Sequence, residues 1–110
     1  MPSPNVLEIT VHNFAEALRE ATPLLVDFTA AWCPPCRAIA PHVHALADAY
    51  AGRARVGTCD ADDNQKLVAD LDVRSLPTVL VFREGRVVGQ LVGAAPRARL
   101  ESLLDRALAP

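Results

Sequence analysis

Two cysteines separated by two residues are the side chains of this sequence best suited to chemistry. Cys33 and Cys36 belong to the run W-C-P-P-C at residues 32–36, whereas the third cysteine, Cys59, stands alone. Three cysteines cannot form a disulfide framework, and an isolated C-x-x-C pair in a reducing compartment is more often redox-active or metal-binding than structural. The pair therefore predicts either thiol–disulfide exchange or part of a metal site.

The pattern around the pair predicts that it lies where a strand passes into a helix. Residues 24–28 form a nearly continuous apolar run typical of a strand covered on both faces, and apolar residues recur at helical spacing from Cys33 to Ala49. A thiol at a helix N-cap accepts hydrogen bonds from first-turn amides and lies at the positive end of the helix dipole, which favours its thiolate. Cys33 is thus the predicted nucleophile and Cys36, one turn further, the resolving thiol.

A zinc half-site is the alternative for the same pair, because C-x-x-C also begins many zinc ribbons and two histidines follow nearby. However, the chain has no second C-x-x-C, and His42 and His44 are two residues apart on a helix and point to different faces. We expect these histidines and His12 to be solvated residues on helix surfaces, and Cys59 to be an inert apolar residue in a strand. No metal is expected.

The composition is typical of one globular domain. The 110 residues are 51% hydrophobic and 22% charged, with a formal net charge of -2, so no positive field is available for binding nucleic acid. The longest apolar stretches are too short to cross a bilayer, and the first residues lack the features of a secretory signal. We expect a single domain over residues 1–110 in a cytoplasmic, monomeric protein that makes no membrane contact.

The hydrophobic periodicity predicts a βαβαβαββα order of elements. Strands are expected at residues 6–9, 24–28, 55–59, 78–82 and 87–91, and helices at 13–20, 33–49, 64–71 and 96–107. Residues 83–86, R-E-G-R, are typical of a hairpin turn. This order predicts an α/β fold with parallel crossovers followed by an antiparallel hairpin, and hence a central mixed sheet of about five strands flanked by four helices.

Asp27 is the one charged residue inside the predicted buried strand. Burial disfavours a carboxylate relative to the neutral acid, so the pKa of Asp27 is expected to be raised. The alternative is an exposed acid on an edge strand.

Together these motifs resemble those of the thioredoxin family. The resemblance is carried by residues 26–37 (V-D-F-T-A-A-W-C-P-P-C-R), Pro41, residues 74–78 (R-S-L-P-T), Gly85 and residues 92–94 (V-G-A), and it covers essentially the whole chain. It implies the thioredoxin fold and the activity of a protein-disulfide reductase with no bound cofactor. It also implies disulfide-containing protein substrates and a flavoprotein thioredoxin reductase that supplies electrons from NADPH to the Cys33–Cys36 disulfide.

The same resemblance assigns roles to individual residues. Asp27 would be the buried acid that relays a proton to or from Cys36 through a water. Pro77 would be cis and would face the cysteines, where it helps to position a substrate strand, although it could instead simply begin a strand. A flat apolar surface for substrates, which we call the docking rim, would comprise Trp32, Pro35, Leu76, Pro77, Val92, Gly93 and Ala94. Trp32 could instead be a packing residue that shields the disulfide.

Three positions depart from the usual pattern of the family: Pro34 replaces Gly, Thr29 replaces Trp, and Thr58 replaces a Lys near the buried acid. Without that cation, Asp27 is predicted to hold its proton more strongly. Pro34 removes a first-turn amide donor and, because it precedes Pro35, is expected to be pushed away from the helical backbone conformation. Pro34 and Thr58 are therefore candidate tuning residues.

Two other functions remain open at this stage. An oxidase or isomerase is compatible with the altered dipeptide, but the absence of a signal peptide argues against it. A redox-independent module that only binds a partner would not need its cysteines. The variant Cys33→Ser distinguishes these classes, because a binding module would keep its activity and a reductase would lose turnover.

Overall fold

The computed structural model describes residues 2–110 and has the order of elements expected from the sequence. The strands are β1 (Val6–Glu8), β2 (Leu24–Thr29), β3 (Arg55–Asp60), β4 (Thr78–Arg83) and β5 (Arg86–Val92), and the helices are α1 (Phe14–Leu18), α2 (Pro34–Ala49), α3 (Gln65–Asp70) and α4 (Arg97–Leu108). Helix α2 continues through Pro41 without interruption. The predicted α/β class, with a mixed sheet and four helices, is confirmed.

The five strands form one sheet in the order β1-β3-β2-β4-β5, with β2 at its centre. Strands β1, β3 and β2 are mutually parallel, whereas β4 runs antiparallel to β2 and pairs with β5 in a hairpin. The sequence predicted parallel crossovers all the way to the hairpin, and this was wrong for the connection from β3 to β4. Helix α3 has six residues and is only about 9 Å long, whereas a strand of that length spans about 20 Å. The chain therefore re-enters the sheet at the end where it left.

Strand side chains alternate between two buried layers. Helices α2 and α4 cover the face that contains Leu25, Val56 and Val79, and helices α1 and α3 cover the face that contains Val26 and Phe28. All residues of β2 from Leu24 to Phe28 are buried, as expected for a strand covered on both faces. By the same alternation Asp27 lies on the face of Leu25, beneath α2 and α4.

The hairpin between β4 and β5 is tighter than predicted. Arg83 and Arg86 pair with each other as strand residues, so the turn consists of Glu84 and Gly85 alone, with φ values of 55° and 77°. Two-residue turns with positive φ at both positions match the right-handed twist of the flanking strands, and Gly adopts such values without strain.

None of the helices formed by residues 2–110 combines the length and the apolar character needed to cross a bilayer.

Candidate active site

Cys33 is the N-cap of α2, and Cys36 lies in the first turn of the same helix. A disulfide joins the two residues, their Cα atoms are 5.3 Å apart, and both are buried. The Sγ atom of Cys33 accepts a hydrogen bond of 3.3 Å from the backbone N–H of Cys36. The structure thus places Cys33 at the N-terminus of the helix, as the sequence predicted, with the Cys36 sulfur within bonding distance.

The helix begins at Cys33 for local reasons. Cys33 has an extended backbone, with φ -98° and ψ 106°, and the next two residues are Pro34 and Pro35 at the first helical positions. Proline suits these positions because its φ is already helical and the N–H that it lacks has no partner within the helix.

Pro34 does not have the non-helical backbone that the sequence predicted, because it is the first residue of α2. The preference of a residue before proline for extended backbone is therefore overridden here, where packing of α2 against the sheet sets the conformation. Neither Pro34 nor Pro35 carries an N–H, so Cys36 provides the first amide donor of the helix, and that donor reaches the Cys33 sulfur.

Asp27 is buried in the sheet, with 2% of its surface exposed. It lies between Thr58 of β3 and Val79 of β4, so it is not an acid on an exposed edge strand. Its Oδ1 atom has no hydrogen-bond partner among the described residues, and none of their ion pairs involves Asp27. Burial raises the pKa of this carboxyl to about 7, as the sequence predicted in direction.

Trp32 lies open to solvent beside the disulfide, with 65% of its surface exposed, so it does not shield the cysteines as a buried packing residue. Its indole N–H donates a hydrogen bond of 2.9 Å to Asp62 Oδ2 in the loop after β3. That loop is itself ordered by Asp60, whose Oδ1 accepts the backbone N–H of Asp62 at 2.9 Å. Sequence reasoning missed Asp62, because nothing local connects residues thirty positions apart.

The Leu76–Pro77 peptide bond is cis, as the resemblance implied. Leu76 is half-buried and packs against the cluster formed by Ala30, Cys33 and Cys36. The carbonyl of Pro77 accepts a hydrogen bond of 2.8 Å from Gly93 N–H, which connects the loop before β4 to the end of β5.

The residues assigned to the docking rim differ in their exposure. Pro35, Val92 and Ala94 are exposed, and Gly93 is half-buried with φ 90°. Pro77, by contrast, is buried. The local sequence around Pro77 does not indicate that it is buried. Its burial depends on the contact between the loop before β4 and the end of β5, which are distant in sequence.

The remaining candidate residues lie away from the cysteines or are packed. Within residues 2–110, no cluster of three or more His, Cys, Asp or Glu side chains is arranged to hold a metal ion. His42 and His44 are half-buried rather than solvated, and His44 Nδ1 accepts a hydrogen bond of 2.9 Å from Ser3 N–H. His12 lies in the turn before α1 instead of on a helix. Cys59 is buried in β3, and burial raises the pKa of its thiol to about 11.

Comparison with known proteins identifies this arrangement. A family model described as Thioredoxin matches residues 5–106. The chain belongs to the thioredoxin family. Thioredoxin C-2 of Corynebacterium nephridii is 40% identical over 105 residues, an alignment that covers 94% of this chain and 97% of that protein. Thioredoxin of Staphylococcus haemolyticus is 39% identical and covers 94% of this chain and 98% of its own length. Thioredoxin of Porphyra purpurea is 38% identical, with coverages of 93% and 96%.

Members of the thioredoxin family are thiol–disulfide oxidoreductases that need no prosthetic group, since the redox centre is the cysteine pair itself. They act on disulfide substrates and are reduced by a reductase. With Cys33 and Cys36 joined by a disulfide in this structure, the predicted family, fold and thiol–disulfide reductase function are confirmed.

Proposed function

We propose that this protein reduces disulfides in other proteins, with Cys33 as the attacking nucleophile and Cys36 as the resolving thiol. The observation that carries the proposal is the N-cap geometry: the Cys33 sulfur accepts the first available amide of α2 and lies at the positive end of that helix. Cys36 lies one turn inside the helix and is not at the N-cap. The order of attack follows from this asymmetry.

The exchange begins from the dithiol form. The Cys33 thiolate attacks one sulfur of a substrate disulfide, the substrate S–S bond breaks, and the departing substrate sulfur takes up a proton. Cys36 then loses its proton and attacks the Cys33 sulfur of the mixed disulfide. The second substrate sulfur leaves as a thiol, the Cys33–Cys36 disulfide forms, and two electrons have passed from the protein to the substrate.

Asp27 is proposed as the group that exchanges the proton of Cys36. It lies on the sheet face covered by α2, and its Oδ1 atom has no partner among the described residues, so it can accept a hydrogen bond from a bridging water. A pKa of about 7 makes the carboxyl able both to accept and to release a proton near neutral pH. Thr58 supplies no positive charge from the neighbouring strand, which keeps that pKa high.

The docking rim is proposed to hold the substrate around its disulfide. Trp32 and Val92 are 65% and 57% exposed, and exposed apolar surface of this kind beside a reactive group marks a partner site. The hydrogen bond from Gly93 to Pro77 fixes the spacing of the two loops that form the rim. An extended substrate segment fits this surface better than a folded one, because its disulfide must reach buried sulfurs.

The source of the electrons is also a proposal. We propose that a flavoprotein thioredoxin reductase returns the Cys33–Cys36 disulfide to the dithiol with electrons from NADPH, and that the protein works in the cytoplasm as a monomer. A reducing compartment suits a chain whose third cysteine remains a free, buried thiol.

An insulin-reduction assay driven by NADPH and a thioredoxin reductase tests the proposal. We expect Cys33→Ser to abolish turnover and Cys36→Ser to accumulate a stable mixed disulfide with the substrate, detectable by mass spectrometry. Cys59→Ala is the matched control and should keep its activity. Full turnover by Cys33→Ser would overturn the proposal, and retention of every cellular activity by that variant would favour a binding module.

A further inference from the structure

A groove lies between β5 and α4, outside the residues discussed above. Strand β5 is an outer strand of the sheet, so one of its edges has no neighbouring strand among residues 2–110. Helix α4 packs closely against it, because a Cβ atom on Gly89 would lie only 2.9 Å from Leu103 Cδ2. The groove has a volume of about 310 Å³ and is lined by Gln90, Leu91, Arg99, Ser102, Leu103 and Arg106.

Two arginines give the groove a positive charge. Arg99 and Arg106 are exposed and, among residues 2–110, form no ion pair. They are seven positions apart on α4, so they lie on one face of the helix, about 10 Å apart. The chain from residue 83 to residue 110 has five arginines and three carboxylates, although the whole protein has a net charge of -2. Positive charge is therefore concentrated on this side.

The groove and the docking rim both border strand β5, although the side chain of Val92 lies on the face of the strand opposite to that of Leu91. Strand β5 ends at Val92, which is part of the docking rim, and the next residues inward, Gln90 and Leu91, line the groove. The opposite end of the strand exposes Val87 and Val88, whose exposed fractions are 47% and 52%. A chain segment that leaves the rim along β5 therefore meets apolar surface and an unpaired strand edge, with arginines beside it.

We propose that the β5–α4 groove binds an acidic, extended segment of a disulfide-containing protein substrate, adjacent to the cysteine that Cys33 attacks. This inference rests on the proposed function. Carboxylates of the segment would pair with Arg99 and Arg106, and Arg offers two parallel N–H donors for such contacts. Because extended chain advances about 3.3 Å per residue and its side chains alternate between two faces, two carboxylates four residues apart lie on one face, about 13 Å apart, within reach of both long arginine side chains.

Charge and shape argue against other occupants. Two copies of the chain joined through their β5 edges would bring Arg86, Arg99 and Arg106 of each copy together, which is repulsive. A nucleic acid fits the groove poorly. Leu91 and Leu103 offer its phosphates no polar contact, and the negative charge of the rest of the protein repels it.

The test uses two short synthetic peptides, each with one cysteine in a mixed disulfide with nitrothiobenzoate. One peptide has two glutamates four residues apart beside the cysteine, and the other has glutamines in their place. We expect the acidic peptide to be reduced with a kcat/KM about fivefold higher at low salt, and the advantage to disappear at high salt. Equal kcat/KM values at low salt would overturn the proposal.

Charge-reversal variants locate the effect. Arg99→Glu combined with Arg106→Glu should remove or invert the preference, whereas Arg19→Glu combined with Lys66→Glu, on the side of α1 and α3, makes the same charge change and should preserve it. If both double variants lose the preference equally, the groove is not its source. The control variant Arg19→Glu combined with Lys66→Glu should reduce the glutamine peptide at the wild-type rate.

A cysteine-free acidic peptide separates this inference from the proposed function. We expect it to shift the amide NMR signals of Gln90, Leu91 and Ser102, whether or not the protein reduces any disulfide. Shifts confined to another surface, equal shifts with the glutamine version or with a short single-stranded DNA, or self-association of the protein at the concentration used would each overturn the assignment.

Discussion

Asp27 and Cys59 are two buried titratable groups on neighbouring parallel strands, and they differ in what they face. Asp27 is paired with Thr58, and Cys59 is paired with Phe28 one step further along the same ladder. The single step places them on opposite faces of the sheet. Asp27 lies beneath α2, which carries the redox cysteines, whereas Cys59 packs in the apolar layer with α1 and α3.

Burial raises both pKa values with opposite chemical consequences. The pKa of Asp27 rises from 3.8 to about 7, which brings it into the range where protons exchange at neutral pH. The pKa of Cys59 rises from 9.0 to about 11, which leaves it a protonated and unreactive thiol. The same physical cause thus gives the acid a pKa that suits the proton transfer proposed above and keeps the thiol protonated, so burial alone does not identify a functional group.

The largest expected effect is on stability, for Asp27→Asn. Because the folded pKa of Asp27 lies above its unfolded value of 3.8, the folded protein holds a proton that the unfolded chain releases between pH 3.8 and about 7. The wild-type free energy of unfolding therefore falls as the pH rises through this window. Asn carries no charge, so we expect it to be more stable than wild type by about 4 kcal/mol near pH 9 and to show no such gain near pH 3. Urea unfolding at several pH values measures this.

Asp48→Asn is the matched control of opposite sign. Asp48 is exposed, and hydrogen bonds from Ser3 and then Asn5 lower its pKa. A lowered folded pKa stabilises the protein above the unfolded pKa and loses that contribution as the pH falls. This variant should lose stability at neutral pH relative to wild type. If both variants were more stable than wild type at high pH, the gain could not be attributed to burial of the Asp27 carboxylate.

Thr58→Lys should lower the pKa of Asp27 and leave the pKa of Cys59 unaffected. A cation on the neighbouring strand position favours the carboxylate, so the pKa of Asp27 is expected to fall by about 1 to 3. NMR titration of the Asp27 carboxyl carbon measures it, with Thr58→Met as the uncharged control of similar length. An unmoved titration would mean that Thr58 does not tune the site.

Cys59→Ala should have a smaller effect, on packing alone. Removal of the buried sulfur leaves a small cavity and should cost about 1.5 kcal/mol at neutral pH, with the rate of disulfide exchange unchanged. The wild-type thiol stays neutral when folded, so wild-type stability falls as the pH rises from 9 to about 11, and the difference between the two proteins should shrink there. A slowed exchange rate would give Cys59 a part in the reaction.

The smallest effect is expected for Pro34→Gly, at the first residue of α2. Glycine increases the freedom of the unfolded chain, so stability should fall by less than about 1 kcal/mol. An N-cap side chain accepts from the second or third helical amide, and the amide restored at residue 34 is the first. The loss should therefore be equal in the disulfide and dithiol forms, and the redox potential should not move. A changed potential would make Pro34 a tuning residue.

Much of the site could be predicted from the local sequence. The W-C-P-P-C run before a helical apolar stripe placed Cys33 at an N-cap, and one acid in an apolar run placed Asp27 in a buried strand. Features that depend on distant contacts were missed. Asp62 reaches Trp32 from another loop, and the short α3 reverses the direction expected of β4.

Local sequence patterns were enough to predict which segments become strands and helices and which helix carries the cysteine pair, because periodicity and capping act over a few residues. The assembled fold was needed to show that Thr58 lies beside Asp27, that the Pro77 carbonyl accepts a hydrogen bond from Gly93, and that Arg99 and Arg106 border the groove along β5. These relations depend on which strand edges and helix faces meet, and residues far apart in sequence become neighbours only when the sheet is assembled.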